Sequence, residues 1–318
     1  MKRLPVTASA YIYIEKSFRE WLEITGYADN TVYAMPNHIR EFLHYLETKG
    51  KSTLHDITVE QIKCYYHDHL KGRTNYLHKS GSISSGHLNK QLQALRKFCD
   101  YLRQTGKLPI AKLDIRNEEE QQKKIDVLTV EEIKQLYAAT YVYNDGDIWG
   151  IANQERIGMR DRAMLSIFYG CGMRRNEGVQ LLVDDIHFEK QYIHVKKGKN
   201  YKERLVPINK TNLQYIQEYL YDARPFLLKG NRNTEAFFIS AKATKADGYS
   251  LLLRLKVLIQ KTGNATLQQK EVGLHILRHS IATHLLQSGV SLENIAKFLG
   301  HASLESTQIY THFINEEL

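Results

Sequence analysis

Leu274-His275-Ile276-Leu277-Arg278-His279-Ser280 opens the stretch that decides how this chain is read. It runs on through Leu299-Gly300-His301 to Tyr310-Thr311-His312. The spacing predicts three short helices. His275 and Arg278, three apart, share a helical face. Ile276, Leu277, Ile281, Leu285 and Leu286 form its apolar side. Ser291 is placed to N-cap a second helix whose inward residues are Ile295, Phe298 and Leu299. Gly300 stops that helix in the left-handed conformation that follows many helix ends. Ser303 starts a third helix, with Tyr310 about two turns along it. The stretch therefore gathers imidazoles, a guanidinium and a phenol. A guanidinium is a fixed fork of donors matched to phosphate, and a phenol is a potential nucleophile. It contains no phosphate loop, nucleophile elbow or thiolate cluster.

The order His-x-x-Arg, Leu-Gly-His and Tyr, with Tyr310 nine positions after His301, resembles the tyrosine recombinase (phage integrase) family. His-x-x-Arg alone is common by chance, but the three pieces at this spacing are specific. Upstream, Gly170-Cys171-Gly172-Met173-Arg174-Arg175-Asn176-Glu177 is similar to the family's Gly-Leu-Arg-x-x-Glu. Met173 replaces the leucine at like size and apolarity. The match puts Arg174 on the family's first arginine, with Arg175 the competing choice. From Asp184 to Ile208 the apolar period shortens to that of strands, turning at Gly198-Lys199-Asn200-Tyr201-Lys202. This resembles the family's hairpin Gly-Lys-Gly-x-Lys-x-Arg, with Asn200 in place of a glycine and still tolerant of left-handed backbone. Lys199 falls on the family's catalytic lysine; a basic turn that only touches DNA is the other reading.

The resemblance implies DNA strand exchange without metal or cofactor, through six residues: Arg174, Lys199, His275, Arg278, His301 and Tyr310. Tyr310 would attack a backbone phosphorus and leave a 3′-phosphotyrosine and a free 5′-hydroxyl. Arg174 and Arg278 would clamp the non-bridging oxygens. His275 is the candidate base, Lys199 the candidate acid, and His301 a hydrogen-bond donor to the phosphate. His279 and His284 read as packing or supporting residues. His275 and His279, four apart, lack the glutamate of a zinc motif and a third ligand.

The rest of the chain suits that reading. It has 318 residues, enough for two ordinary cores. The net charge of +9 and pI near 9.2 favour a polyanionic partner. Three widely spaced cysteines, Cys64, Cys99 and Cys171, form neither a disulfide framework nor a zinc spacing. Neither a signal peptide nor a membrane span is legible, so a cytoplasmic location is the default expectation.

The expected fold is mainly α: a helical-bundle core-binding domain over 8–107 and a mostly helical catalytic domain over 127–318 with a small antiparallel β-sheet. A linker over 108–126 joins them, marked by Pro109 and the charged run Arg116–Lys124; one solvated helix is the alternative. The bundle resembles the family's core-binding domain in layout. Arg73, Lys79, Lys90, Arg96 and Lys97 there, with Lys202 and Arg204 on the hairpin, are the candidate phosphate contacts. Tyr65-Tyr66-His67-Asp68-His69 reads as a helix end rather than a metal site.

The partners implied are double-stranded DNA and further protomers, four on two paired sites, with a second recombinase or an accessory factor also compatible. Eight residues follow Tyr310, fewer than the exchanged tail of many relatives. Two rival readings share many of these features. One is a DNA-binding protein that has lost catalysis, which predicts missing catalytic groups. The other is a type IB topoisomerase, which uses the same chemistry as a monomer. Within the recombinases the layout leans slightly to the Xer or invertase kind. Integration and excision, inversion and dimer resolution remain equally compatible with one active site.

Overall fold

Buried apolar clusters organise the chain in two units: one in Met1–Lys123, and in Lys124–Leu318 a large one with a smaller one around Ala282, Ile295 and Leu299. The computed structural model describes residues 4–72, 83–119, 126–143, 150–196, 203–231 and 234–300. The third helix expected from Ser303, the turn at Lys199 and the loop around Asp145 lie outside these residues.

The first unit is built from α1 (Ser9–Ile24), α2 (Asp29–Thr48), α3 (Val59–Cys64, prolonged by a wider π turn over Tyr65–Leu70) and α4 (Ser85–Gln104). The helical stripes read from the sequence are the buried faces. Tyr11, Ile14, Phe18 and Leu22 meet Ile39, Phe42, Leu43 and Leu46, and both meet Leu88, Leu92, Leu95, Phe98 and Leu102. The rings of Phe18 and Phe98 pack edge to face at 5.3 Å. Thr58 and Ser84 accept the backbone amides of Gln61 and His87 and so start α3 and α4. Asp29-Asn30-Thr31 supplies the N-cap candidates for α2 in the sequence, yet none of the three holds the cap position. The cap of α2 is Ala28, which has no acceptor, and Asp29 falls within the first turn, where its charge meets the helix dipole.

Segment 108–119 also departs from its composition. Ile110, Leu113 and Ile115 are buried in the same cluster as the helices. The charged run that follows hides this from a compositional reading, because three apolar residues within six are too few to set a period.

The second unit begins with α5 (Val130–Ala139), opened by a reciprocal capping box: Thr129 N donates to Glu132 at 2.8 Å and Glu132 N to Thr129 at 3.1 Å. Then come α6 (Gly150–Leu165, continued by a π turn over Ser166–Gly170) and α7 (Arg175–Gln180). A small antiparallel sheet follows, β1 (Ile186–His187), β2 (Tyr192–Val195) and β3 (Arg204–Pro207), in that spatial order. Ile193 pairs with Ile186 on one side and Val206 on the other. The remaining helices are α8 (Lys210–Gln217), α9 (Arg224–Leu227), α10 (Gly248–Lys261), α11 (Ala265–Gln269), α12 (Leu274–Gln287) and α13 (Leu292–Leu299).

Two local readings are corrected here. The polar stretch up to Gly158 reads as a loop, yet α6 starts at Gly150. Gly158 serves close approach: a Cβ there would stand 2.4 Å from the carbonyl oxygen of Thr140, at the end of α5. Phe237–Ile239 reads as a strand, yet only isolated bridges form, Leu182 with Ala236 and Ile239 with Lys245. The Tyr219 hydroxyl takes the place of a ladder partner. It donates to Phe237 O and accepts from Ile239 N, both at 3.0 Å.

Among the described residues no helix is long and apolar enough to cross a membrane. Cys64 is exposed, whereas Cys99 and Cys171 are buried, and burial pushes both of those thiols up to about 12.

Gly178 on α7 offers a test of the packing. A Cβ there would lie 2.5 Å from the ring of Phe168, which is fully buried. Glycine to alanine inside a helix ordinarily stabilises by roughly 1 kcal/mol. Here overpacking should reverse the sign, so that Gly178→Ala destabilises by about 1–3 kcal/mol in urea unfolding of the full chain. A gain in stability would contradict this packing.

Candidate active site and nucleic-acid interface

Three of the residues that sequence reasoning assigns to catalysis lie on two described elements of the second unit. Arg174 is the N-cap of α7, and His275 and Arg278 lie on α12. Lys199, His301 and Tyr310 lie outside the described residues, as do Arg73, Lys79 and Lys202.

Helix α13 brings the two arginines together. It is capped by Ser291, which accepts from Asn294 N, and it ends at Gly300 with φ 66° and ψ 49°. The left-handed stop leaves the last carbonyls without helical partners. Arg278 Nη2 donates to Leu299 O at 2.8 Å, and Arg174 Nη2 donates to Gly300 O at 2.7 Å. Arg278 Nη1 also donates to Gly172 O at 2.6 Å, in the turn just before Arg174. Two guanidinium groups thus converge on consecutive peptide units at the negative end of a helix dipole. His301 is the next residue in the chain.

Two cations so placed need a counter-charge, and Glu177 supplies it. Its carboxylate accepts from Arg174 N and Arg174 Nη1, both at 2.9 Å. It also accepts from Arg204 Nη1 at 2.9 Å and Arg204 Nη2 at 2.8 Å. Burial alone would raise this carboxyl; hydrogen bonds and charge from Arg204, then Arg174, outweigh it and hold it at about 2. Arg204, a candidate phosphate contact from the sequence, has both terminal nitrogens of its fork on Glu177. Its fork is turned inward on Glu177, and its side chain is 11% exposed.

His275 sits at the outer end of α12, its ring over Gly273, where a Cβ would come within 2.8 Å. Partial burial and then the charge of Arg175 push the ring below its ordinary range. Arg175 is exposed and lies across Gly248. It diverges from Arg174, which alone of the two reaches the end of α13. His279 is driven down to about 4 by burial and then by His275 and Arg278, and so is neutral. His284 shares a hydrogen bond of 2.9 Å with Tyr169. Both rings are half-buried. Among the described residues no cluster of three or more His, Cys, Asp or Glu could hold a metal ion.

The first unit carries a separate polar face along α4. Gly86, Asn89, Lys90, Gln93, Arg96 and Asn117 line a cleft of about 500 Å³. Lys90 is exposed. Arg96 is engaged within the unit, with Asn117 Oδ1 at 2.8 Å and with Ile115 O. Lys97 lies over the Tyr27 ring and 3.6 Å from Asp100. Segment 115–118 is strapped across this face. The Asn89 amide donates to Glu118 O and accepts from Glu118 N, at 2.9 and 2.8 Å. The Glu118 carboxylate meets Lys71 at 2.6 Å and the Tyr66 hydroxyl at 3.1 Å.

Two features of these sites escaped the sequence reading. Glu177 stood in the quoted motif without a role, although its spacing from Arg174 is that of a capping box. The strap left no local signal, since Asn89 and Glu118 are 29 residues apart.

The Glu177 clamp makes stability depend on acid. Its folded pKa lies below the ordinary value of 4.5, so its contribution is full above pH 5 and is lost as pH falls towards 2. The shift corresponds to roughly 3 kcal/mol. Glu177→Gln should therefore flatten the pH dependence of unfolding between pH 5 and 2, read by urea titration at each pH. Retention of the full wild-type slope would refute the pairing.

Comparison with known proteins agrees with this geometry. The model of the phage integrase family matches residues 126–317. The chain is 30% identical to tyrosine recombinase XerD of Listeria innocua over 290 residues, 90% of this chain and 89% of that protein. It is 31% identical to tyrosine recombinase XerC of Natranaerobius thermophilus, over 87% of this chain and 94% of the relative. In fold it resembles the XerH site-specific recombinase bound to a palindromic difH substrate, with TM-score 0.65, 19% identity and coverage of 98% and 95%. It likewise resembles the Tn1549 transposon integrase in complex with a circular intermediate DNA, with TM-score 0.63, 16% identity and coverage of 96% and 99%. With matched motifs, matched length and two arginines gathered at one helix end, the chain belongs to the phage integrase family, the tyrosine recombinases.

Proposed function

We propose that this chain is a site-specific recombinase that cuts and rejoins double-stranded DNA through a 3′-phosphotyrosine, with Tyr310 as nucleophile. The observation that carries the reading is the convergence of Arg174 and Arg278 on the last carbonyls of α13, immediately before His301. An arrangement with more guanidinium than carboxylate charge attracts a polyanion's phosphate, and its rigidity suits a charge that grows in the transition state.

The Tyr310 phenolic oxygen attacks phosphorus, and its proton passes to His275. The P–O5′ bond breaks, and Lys199 protonates the departing 5′-oxygen. Arg174, Arg278 and His301 hold the non-bridging oxygens. The phosphodiester energy is kept in the protein–DNA bond, so the reverse attack by a 5′-hydroxyl rejoins the strand without ATP. Two duplexes contain four strands and each protomer brings one tyrosine. Exchange of all four therefore calls for four protomers on two paired sites. The cleft along α4, with Lys90 at its edge, and the basic balance of the chain support duplex binding by the first unit. Phosphate contacts by Arg73, Lys79 and Lys202 belong to the same proposal.

Trapping tests it. A nicked, labelled suicide substrate carrying the native site should yield a protein-linked band on a denaturing gel with wild type and none with Tyr310→Phe. The midpoint of the acid limb of the cleavage rate should lie below the ordinary histidine value of 6.5, because burial and then the charge of Arg175 depress the His275 ring, which must be neutral to take a proton. Tight duplex binding with no covalent band from any site in the surrounding DNA would favour a non-catalytic DNA-binding protein instead.

A further inference from the structure

Arg204 opens β3, two residues after the turn segment that carries Lys199. Both terminal nitrogens of its fork are committed to Glu177, one to each oxygen. The same carboxylate holds the backbone amide and one guanidinium nitrogen of Arg174. The Arg204 stem runs against Gly300, where an added Cβ would stand 2.6 Å from Cδ. Gly300 O is in turn the acceptor for Arg174 Nη2. Four groups therefore close a ring: Arg204 to Glu177, Glu177 to Arg174, Arg174 to Gly300, and Gly300 back to Arg204. The ring joins the hairpin, α7 and the end of α13, which are distant in sequence.

We propose that Arg204 is a positioning residue for the cleavage step and not a DNA contact, acting through Glu177 on Arg174 and through Gly300 on the start of the segment that bears His301. The inference rests on the recombinase reading above. Charge gives it a second leg. Glu177 is shared by two arginines, so the three groups together keep one positive charge for a phosphate. Without Arg204, Arg174 and Glu177 form a one-to-one pair of zero net charge, and the carboxylate is free to turn Arg174 away. Arg204 is not interchangeable with lysine here, because a point charge cannot hold both carboxylate oxygens in the plane of a fork.

The test separates binding from cleavage. Wild type, Arg204→Met, Arg204→Lys and Glu177→Gln are compared on one labelled duplex site for affinity across a salt series. Covalent complex formation on the suicide substrate is then followed at saturating protein, with thermal melting of each variant. Arg204→Met should slow cleavage by about 100-fold, with affinity within about threefold of wild type and the same salt slope. Arg204→Lys should recover only part of that loss. Glu177→Gln combined with Arg204→Met should be no slower than Glu177→Gln alone, since both act through one clamp. If Arg204→Met does not melt cooperatively, Arg204→Lys carries the same split between binding and cleavage.

A phosphate contact would show the opposite pattern and overturn the proposal: weaker binding, with the salt slope reduced by about 0.9, and a normal rate at saturation. Wild-type cleavage by a folded Arg204→Met would overturn it too. Absence of any covalent product from wild type would instead remove the recombinase reading itself.

Discussion

A single buried carboxylate, Glu177, makes the rest of the second unit's site possible. Arginines that face the same point repel one another, and a site built to receive phosphate needs several. Glu177 resolves this by lying between Arg174 and Arg204 with both oxygens fully used. The pairing is buried, so its worth lies less in net stability than in fixing one geometry among many. The third arginine, Arg278, is held differently, by neutral carbonyls at Gly172 and Leu299. Carbonyls orient a guanidinium without cancelling its charge. The site thus combines one arginine locked by a carboxylate with one oriented by backbone carbonyls.

Much of this was legible because helices declare themselves locally. The stripes on α1, α2 and α4 follow from a period of 3.6, and the stop at Gly300 from the left-handed conformation a glycine adopts most easily. The motif residues Arg174, His275 and Arg278 were legible through family resemblance, and two of them meet at the end of α13. What the sequence concealed was long-range. Arg204 looked like one more basic residue on a basic hairpin, and nothing nearby indicates that its partner is a glutamate 27 positions earlier. Gly158 looked like a loop because glycine signals both a turn and a close contact, and only the approach of Thr140 distinguishes them. The buried Phe237-Phe238-Ile239 run was apolar enough for a strand, but the Tyr219 hydroxyl satisfied its backbone first.

The first unit shows the same principle at a segment with little regular structure. Asn89 imitates a backbone by donating to and accepting from Glu118, as two strands would. Lys71 and Tyr66 fix the carboxylate of the same residue. Arg96, on the face of α4 that carries Lys90, is occupied with the strap rather than free for solvent. Residues that a charge map counts as available for DNA are thus partly structural, and the exposed cleft beside them is left to side chains of mixed character: an amide, a lysine and a glutamine.

The three thiols described above give the chain a built-in chemical handle. Alkylating reagents attack thiolates, and the buried Cys99 and Cys171, with thiols held near 12, present almost none at neutral pH. Cys64 is exposed on the last turn of α3. A maleimide dye or spin label should accordingly settle on that one position in the unaltered protein. It would sit in the first unit and spare every arginine of the second unit's cluster any substitution, so fluorescence anisotropy could follow the arrival of DNA on the unaltered chain.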